Sequence, residues 1–288
     1  MIPAAFEYHR PTSLDEAITL LSRHGDDGRL IAGGHSLIPM MKLRLAQPEH
    51  LIDLRDLTEL TGIRVEGDAL EIGAMTTQHD LIGSEVVAET CPILVEAALL
   101  IADPQVRYCG TLGGNVANGD PGNDMPALMQ CLDASYLVKG PGGERQIAAR
   151  DYYEAAYFTA LAEDEVLTAV RVPLPPAGHG YAYEKLKRKV GDYATAAAAV
   201  ILVMEGGVCR QASVALTNVG QTPLWAADAG AALVGMEVDA AAISQAAEKA
   251  KAIAEPSADM RGPEDYRSHV AAVMVRRAIE RALERATG

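Results

Sequence analysis

Residues 29–37 read Arg29–Leu30–Ile31–Ala32–Gly33–Gly34–His35–Ser36–Leu37. An apolar, strand-like run meets a glycine pair and then a segment with helical character. A strand feeding a glycine turn that opens a helix leaves backbone N–H groups unpaired at the positive end of the helix dipole, which favours a phosphate. Ser36 adds a hydroxyl donor. Upstream, Ser13–Leu21 carries a capping box, with Ser13 as N-cap and Glu16 three residues on, ahead of Ala17, Ile18, Leu20 and Leu21. Downstream, Leu37–Leu45 reads as a helix and His50–Leu54 as a strand, so the quoted stretch is the hinge of a compact βαβ-like unit.

A second glycine segment, Thr111–Leu112–Gly113–Gly114–Asn115, repeats the chemistry: a hydroxyl before two glycines and an amide after. Two amide-rich loops would hold the two phosphates of a pyrophosphate without Lys or Arg. Taken alone, each Gly-Gly pair is also an ordinary turn. Neither segment fits G-x-G-x-x-G and no P-loop is present, which disfavours a Rossmann site. The turn-rich run Asn118–Asp124 follows the second segment. The Asp124 carboxylate suits a ribose or ribityl hydroxyl, and equally the N-cap of a helix beginning at Met125. A calcium loop is disfavoured by Gly122 at its third position and by the lack of a closing glutamate.

Elsewhere, strand-like and helix-like segments alternate. Ile63–Val65 and Ala69–Ile72 flank the hairpin signal Glu66–Gly67–Asp68. Thr77–Leu81, Pro92–Ala102 and Met125–Leu132 read as helices, Ser135–Val138 and Glu165–Val172 as strands. The clearest boundary is the proline- and glycine-rich run 173–180. Beyond it come three strands, Tyr181–Lys187, Ala196–Met204 and Val208–Leu216, and three helices, Pro223–Leu233, Ala240–Ala254 and Pro263–Ala286. Ala271, Val275, Ala278 and Ala282 form a buried stripe on the last.

The chain has 288 residues, room for about two domains, and its 49% hydrophobic content supports a real core. A net charge of −14 argues against nucleic acid and against a polybasic membrane anchor. Cys91, Cys109, Cys131 and Cys209 form no C-x-x-C, so neither a zinc site nor a local iron–sulfur motif is expected. No transmembrane segment or signal peptide is read, and the chain is expected in the cytoplasm. No H-E-x-x-H, G-x-S-x-G or S-x-x-K occurs, so no catalytic residue and no metal ligand is assigned.

Residues 32–37 (Ala-Gly-Gly-His-Ser-Leu), residues 111–115 (Thr-Leu-Gly-Gly-Asn) and the run Asn118–Asp124 resemble the FAD-binding medium subunits of molybdenum hydroxylases, the family of xanthine dehydrogenase. Ile101–Arg107, leading into the second segment, and Gly119–Asp124 after it resemble most the carbon monoxide dehydrogenase branch. The resemblance covers essentially the whole chain, including Tyr266–Arg267 before the last helix. It implies an α+β fold: an FAD-binding domain of two PCMH-like α/β subdomains, then a smaller C-terminal domain of antiparallel sheet plus helices. The corresponding spans are 1–177, divided at about 57/58, and 178–288.

By that resemblance, FAD binds this chain. Ala32, Gly33, Gly34, His35 and Ser36, with Thr111, Leu112, Gly113, Gly114 and Asn115, hold the pyrophosphate. Asp124 and Lys185 are further cofactor contacts, Leu167 lies near the flavin, and Tyr193 lies against the isoalloxazine. Partner subunits carry the rest: a large one with the molybdenum cofactor and a small one with two 2Fe–2S clusters, as a dimer of heterotrimers. Electrons pass to an acceptor such as quinone, with peripheral association at the inner membrane face allowed. The competing readings are a flavin subunit for an aldehyde or N-heterocycle, a self-contained flavin oxidase or reductase, and a nucleotide-binding module without redox chemistry.

Overall fold

The computed structural model describes residues 2–287. Its first sheet is small and parallel. Strands β1 (Glu7–His9) and β2 (Gly28–Ile31) flank the central β3 (His50–Asp53). Helix α1 (Leu14–His24) begins where the capping box requires, with the Ser13 side chain accepting from the Glu16 N–H. Leu14, Ala17, Ile18 and Leu21, spaced for one helix face, pack on Ile52, Leu54, Leu57 and Leu60. Helix α2 (Leu37–Lys42) follows β2. It stops short of the expected Leu45, because Arg44 takes a left-handed φ of 59° that a helix does not accept.

The second sheet is antiparallel. Its strands are β4 (Ile63–Glu66), β5 (Ala69–Gly73), β6 (Ser135–Gly140), β7 (Gly143–Ala148) and, introduced below, β10. Between β5 and β6 run six short helices: α3 (Gln78–Gly83), α4 (Glu85–Thr90), α5 (Pro92–Leu100), α6 (Pro104–Cys109), α7 (Leu112–Ala117) and α8 (Asp124–Cys131). A short pair, β8 (Tyr153–Ala155) with β9 (Phe158–Thr159), precedes β10 (Val166–Pro173), which takes the central place in the order β4-β5-β10-β6-β7. Helices α4 and α6 carry no clear signal in the sequence, and α5 is shorter than the expected Pro92–Ala102. Ile101 turns to extended backbone (ψ 123°) and Ala102 takes a left-handed φ of 44°, which end the run at Leu100, and the Asp103 side chain caps α6.

The third sheet, also antiparallel, is β11 (Gly180–Leu186), β12 (Ala196–Glu205), β13 (Val208–Thr217) and β14 (Leu224–Trp225) in that order. Helices α9 (Ala227–Ala231), α10 (Ala240–Ala252) and α11 (Glu264–Thr287) complete the chain. The expected helix over Pro223–Leu233 is instead β14 plus α9, because Leu224 and Trp225 pair with β13. Strand β12 explains its own composition. Ala196, Ala198, Val200 and Leu202 join one core with α10 and α11, while Ala197, Ala199 and Ile201 join the other core with α8. A strand covered on both faces reads as a continuous apolar run rather than an alternation.

The architecture is thus α+β, with separate sheets each backed by helices. Among the described residues no helix is long and apolar enough to cross a membrane.

Candidate functional site

Strand β2 delivers the first glycine loop to the start of α2. The backbone N–H groups of Gly33, Gly34, His35 and Ser36 meet no acceptor among the described residues. Gly34 has a φ of +71°, a left-handed conformation that its missing Cβ permits. His35 is exposed, its Nδ1 held 3.0 Å from the Gly33 carbonyl oxygen. Ser36 occupies the N-cap position of α2, yet its side chain caps nothing. Four successive amides and a hydroxyl therefore remain unspent at this turn.

The second segment is not a loop. Thr111 is the N-cap of α7, and Leu112–Asn115 form that helix's first turn. Its amides are already spent: Leu112 donates to the Thr76 carbonyl, Gly113 to Ala74 and Asn115 to Thr111, at 2.9, 2.8 and 3.1 Å. The Gly114 N–H donates to Thr111 Oγ1 at 3.0 Å. The expectation of a second amide-rich clamp is corrected accordingly. What the segment still offers is the Thr111 hydroxyl proton and one side-chain amide. Asn115 Oδ1 accepts the Met125 N–H at 3.3 Å, which leaves its Nδ2 as a free donor. A glycine pair disfavours helix by about 1 kcal/mol per residue, so sequence alone reads it as a turn. The Thr111 cap and the Ala74 contact override that preference.

The structure does bring the two segments together. A Cβ on Gly33 would lie 2.2 Å from the Cys109 carbonyl oxygen and 2.8 Å from Gly110 Cα. A Cβ on Gly113 would lie 2.6 Å from the Ala74 carbonyl oxygen. These glycines let backbone pack on backbone. Gly114 differs: it is exposed, and a Cβ there would meet Thr111 Oγ1 at 2.9 Å and Ala32 Cβ at 3.6 Å. Leu112 beneath it is fully buried.

Asp124 is not the N-cap of α8. Helix α8 starts at Asp124, with Asn123 in the N-cap position. The buried carboxylate accepts from the Tyr183 hydroxyl at 2.6 Å and from Lys185 Nζ at 2.7 Å. Lys185 and Asp124 side chains are only 1% and 5% exposed, so they form a buried ion pair joining α8 to β11. Burial, and then the Asp124 charge, push the Tyr183 phenol well above its ordinary value, so it stays a donor.

Tyr193 rests on the same turn run. Its ring lies over Gly122, where a Cβ would be 3.3 Å from ring Cδ1. Its hydroxyl donates to Asp120 Oδ2 at 3.0 Å, while Asp120 Oδ1 accepts the Gly122 N–H at 2.8 Å. Burial and then Asp120 raise the Tyr193 phenol, although 42% of the residue stays exposed. Asp120 is the positioning residue that sequence reasoning passed over; its one signal was its place in the Asn118–Asp124 turn. Leu167 is a core residue of β10, 5% exposed and paired opposite Val138. It sits beneath the site: the neighbouring Thr168 carbonyl accepts the Ala74 N–H at 2.9 Å, and the Ala74 carbonyl in turn holds Gly113.

Residues 4–175 match the family described as the FAD binding domain in molybdopterin dehydrogenase. Residues 181–282 match the CO dehydrogenase flavoprotein C-terminal domain. The chain belongs to the molybdopterin dehydrogenase flavoprotein family. Among members of that family, it is 63% identical to the carbon monoxide dehydrogenase medium chain of Afipia carboxidovorans, with 99% of each chain covered. It is 50% identical to the carbon monoxide dehydrogenase medium chain of Hydrogenophaga pseudoflava, again with 99% of each covered. A chain in the crystal structure of the Cu,Mo-CO dehydrogenase, cyanide-inactivated form, superposes with a TM-score of 0.98 at 63% identity, covering 99% of this chain and 100% of that one. Quinoline 2-oxidoreductase from Pseudomonas putida 86 gives a TM-score of 0.94 at 36% identity, covering 99% and 100%. This chain therefore carries the family's FAD-binding domain over residues 4–175.

Proposed function

We propose that this chain is the flavoprotein subunit of an aerobic carbon monoxide dehydrogenase. The 63% identity to a carbon monoxide dehydrogenase medium chain over 99% of both sequences carries the reading. The site's chemistry supports it. The unspent N–H groups at 33–36, the Ser36 and Thr111 hydroxyls and the Asn115 amide suit a pyrophosphate held by neutral donors. Exposed Gly114 leaves the surface beside Ala32 bare for close approach.

Each residue then has a task. From Ala32–Ser36 the free amides and the Ser36 hydroxyl, and from Thr111–Asn115 the Thr111 hydroxyl and the Asn115 side-chain amide, bind the pyrophosphate, while Leu112 and Gly113 seat the turn. Tyr193, pinned by Asp120, sets one wall for the isoalloxazine. Leu167 backs the site from the core. Asp124 and Lys185 spend their charges on each other, so their part is to fix the turn between α7 and α8 and the strand that carries Lys185. When bound, FAD accepts electrons singly or in pairs and passes them on.

Oxidation of carbon monoxide by water to carbon dioxide releases two electrons and two protons. In this reading a large subunit with the molybdenum cofactor performs that step, and a small subunit with two 2Fe–2S clusters relays the electrons here. The assembly is a dimer of heterotrimers in the cytoplasm, delivering electrons to a quinone at the inner membrane face. The described cysteines are all free thiols, as a reducing compartment would keep them. The chain divides into units 1–57, 58–177 and 178–288; β3 ends at Asp53 and β4 begins at Ile63, while β10 ends at Pro173 and β11 begins at Gly180.

The test is expression of the chain alone and with its co-purifying partners. The isolated, FAD-loaded chain is expected to show no flavin bleaching under carbon monoxide, and the complex is expected to bleach. Bleaching of the isolated chain would instead make it a self-contained flavoenzyme. A complex that bleaches with an N-heterocycle and not with carbon monoxide would move the chain to another branch of the family.

A further inference from the structure

Three histidines far apart in the sequence meet at one end of the parallel sheet. His9 ends β1, His24 ends α1 and His50 begins β3. One ring nitrogen from each lies within 4.8 Å of the other two. His9 Nε2 and His50 Nδ1 are 3.1 Å apart, and the His24 and His50 rings stack at 3.6 Å between centroids. Glu7 Oε2 closes the group, 3.4 Å from His50 Nδ1 and 4.0 Å from His9 Nε2.

The backbone builds this cluster. Glu7 and His9 are two residues apart on a strand, so they share a face. Parallel pairing sets His50 beside Glu7, on that face, and sets Gly28 of β2 beside His50. Gly28 makes room for the last turn of α1: a Cβ there would lie 3.0 Å from His24 Cβ. None of these residues belongs to the proposed cofactor site.

We propose that Glu7, His9, His24 and His50 form a binding site for a late first-row divalent cation, with Zn²⁺ its simplest occupant. Three imidazoles and one carboxylate are a donor set suited to Zn²⁺, Ni²⁺ and Cu²⁺ and ill suited to Mg²⁺ or Ca²⁺. Zn–N bonds of about 2.0–2.1 Å in a tetrahedron put ligand nitrogens roughly 3.4 Å apart. The His9–His50 separation is already close to that, and small rotations of the half-buried His24 ring bring its nitrogen in. A cation held by both His9 Nε2 and His50 Nδ1 replaces the hydrogen bond between them, and the ring N–H of that bond moves to the donor ring's other nitrogen. The bound ion staples β1, α1 and β3, the elements that seat β2 and its glycine loop.

The full chain is titrated with Zn²⁺ in the presence and absence of Mg²⁺. One equivalent per chain is expected to bind, raising the thermal midpoint, while Mg²⁺ alone does neither. His24→Ala and His50→Gln are expected to abolish the stoichiometric binding while keeping the wild-type far-ultraviolet circular dichroism. A readout independent of variants is histidine modification by diethyl pyrocarbonate, mapped by mass spectrometry. Zn²⁺ is expected to protect His9, His24 and His50 and leave His35, His79 and His269 reactive. Equal modification of all six with and without Zn²⁺, or undiminished binding by both folded variants, overturns the site.

Discussion

Gly33 and Gly114 look alike in sequence and carry opposite expectations. Gly33→Ala forces a methyl into the Cys109 carbonyl oxygen, 2.2 Å away, where only backbone can give. The expected cost is about 1–3 kcal/mol, read as a lower urea midpoint together with lower flavin content. Gly114→Ala sits on an exposed helical turn and gains up to about 1 kcal/mol of helix propensity. Crowding of Thr111 Oγ1, 2.9 Å from the new methyl, offsets that gain, so the variant is expected to stay near the wild-type midpoint and lose FAD affinity; unchanged affinity would remove Gly114 from the binding surface. Tyr193 separates ring from hydroxyl in the same way. Tyr193→Phe loses only the bond to Asp120 and is expected to shift the bound-flavin spectrum less than Tyr193→Leu, which removes the ring. Identical spectra for both variants and wild type would exclude the wall assigned to it. The glycines themselves were legible at this scale, but their reasons were not: Gly33 needs its missing Cβ because Cys109–Gly110 packs on it, a contact 76 residues away in sequence terms that no local pattern encodes.

Between elements, the buried Lys185–Asp124 pair is the decisive contact of α8 with β11. Lys185→Met leaves the Asp124 charge buried with only Tyr183 to meet it, and an unpaired buried charge costs about 3–5 kcal/mol. Chemical denaturation is expected to show that loss, and Asp124→Asn added to Lys185→Met is expected to recover part of it. Additive losses in the double variant would mean the two side chains do not act as a pair. Helix α1 could be read in advance because its cap, its acidic first turn and its apolar spacing agree. Helix α7 could not, since Gly113 and Gly114 argue locally against the helix that Thr111 and Ala74 impose.

Across the whole molecule, β12 contributes alternate side chains to two cores, and Glu96 ties three elements. Glu96 accepts from the Tyr183 N–H at 2.7 Å, from Arg281 at 3.0 Å and from Arg285 at 2.8 Å, joining α5, β11 and α11. Shared cores favour a single cooperative transition. Calorimetry of the full chain is expected to show one peak, with Glu96→Ala lowering its midpoint without splitting it. Two resolved peaks in the wild type would show that the cores melt independently.

By itself the sequence determined the family, the α+β class and the position of both glycine segments, because these rest on local signals: caps, periodicity, turn residues and motif resemblance. Tertiary structure decided what those residues do. It spent the amides of residues 112–115 on Thr76, Ala74 and Thr111 while leaving those of 33–36 free. It also turned Asp124 from an open acceptor into half of an ion pair, and gathered His9, His24 and His50 from three elements. Hydrogen-bond partners and ion pairs are chosen by distance in the folded chain, which the order of residues along it does not specify.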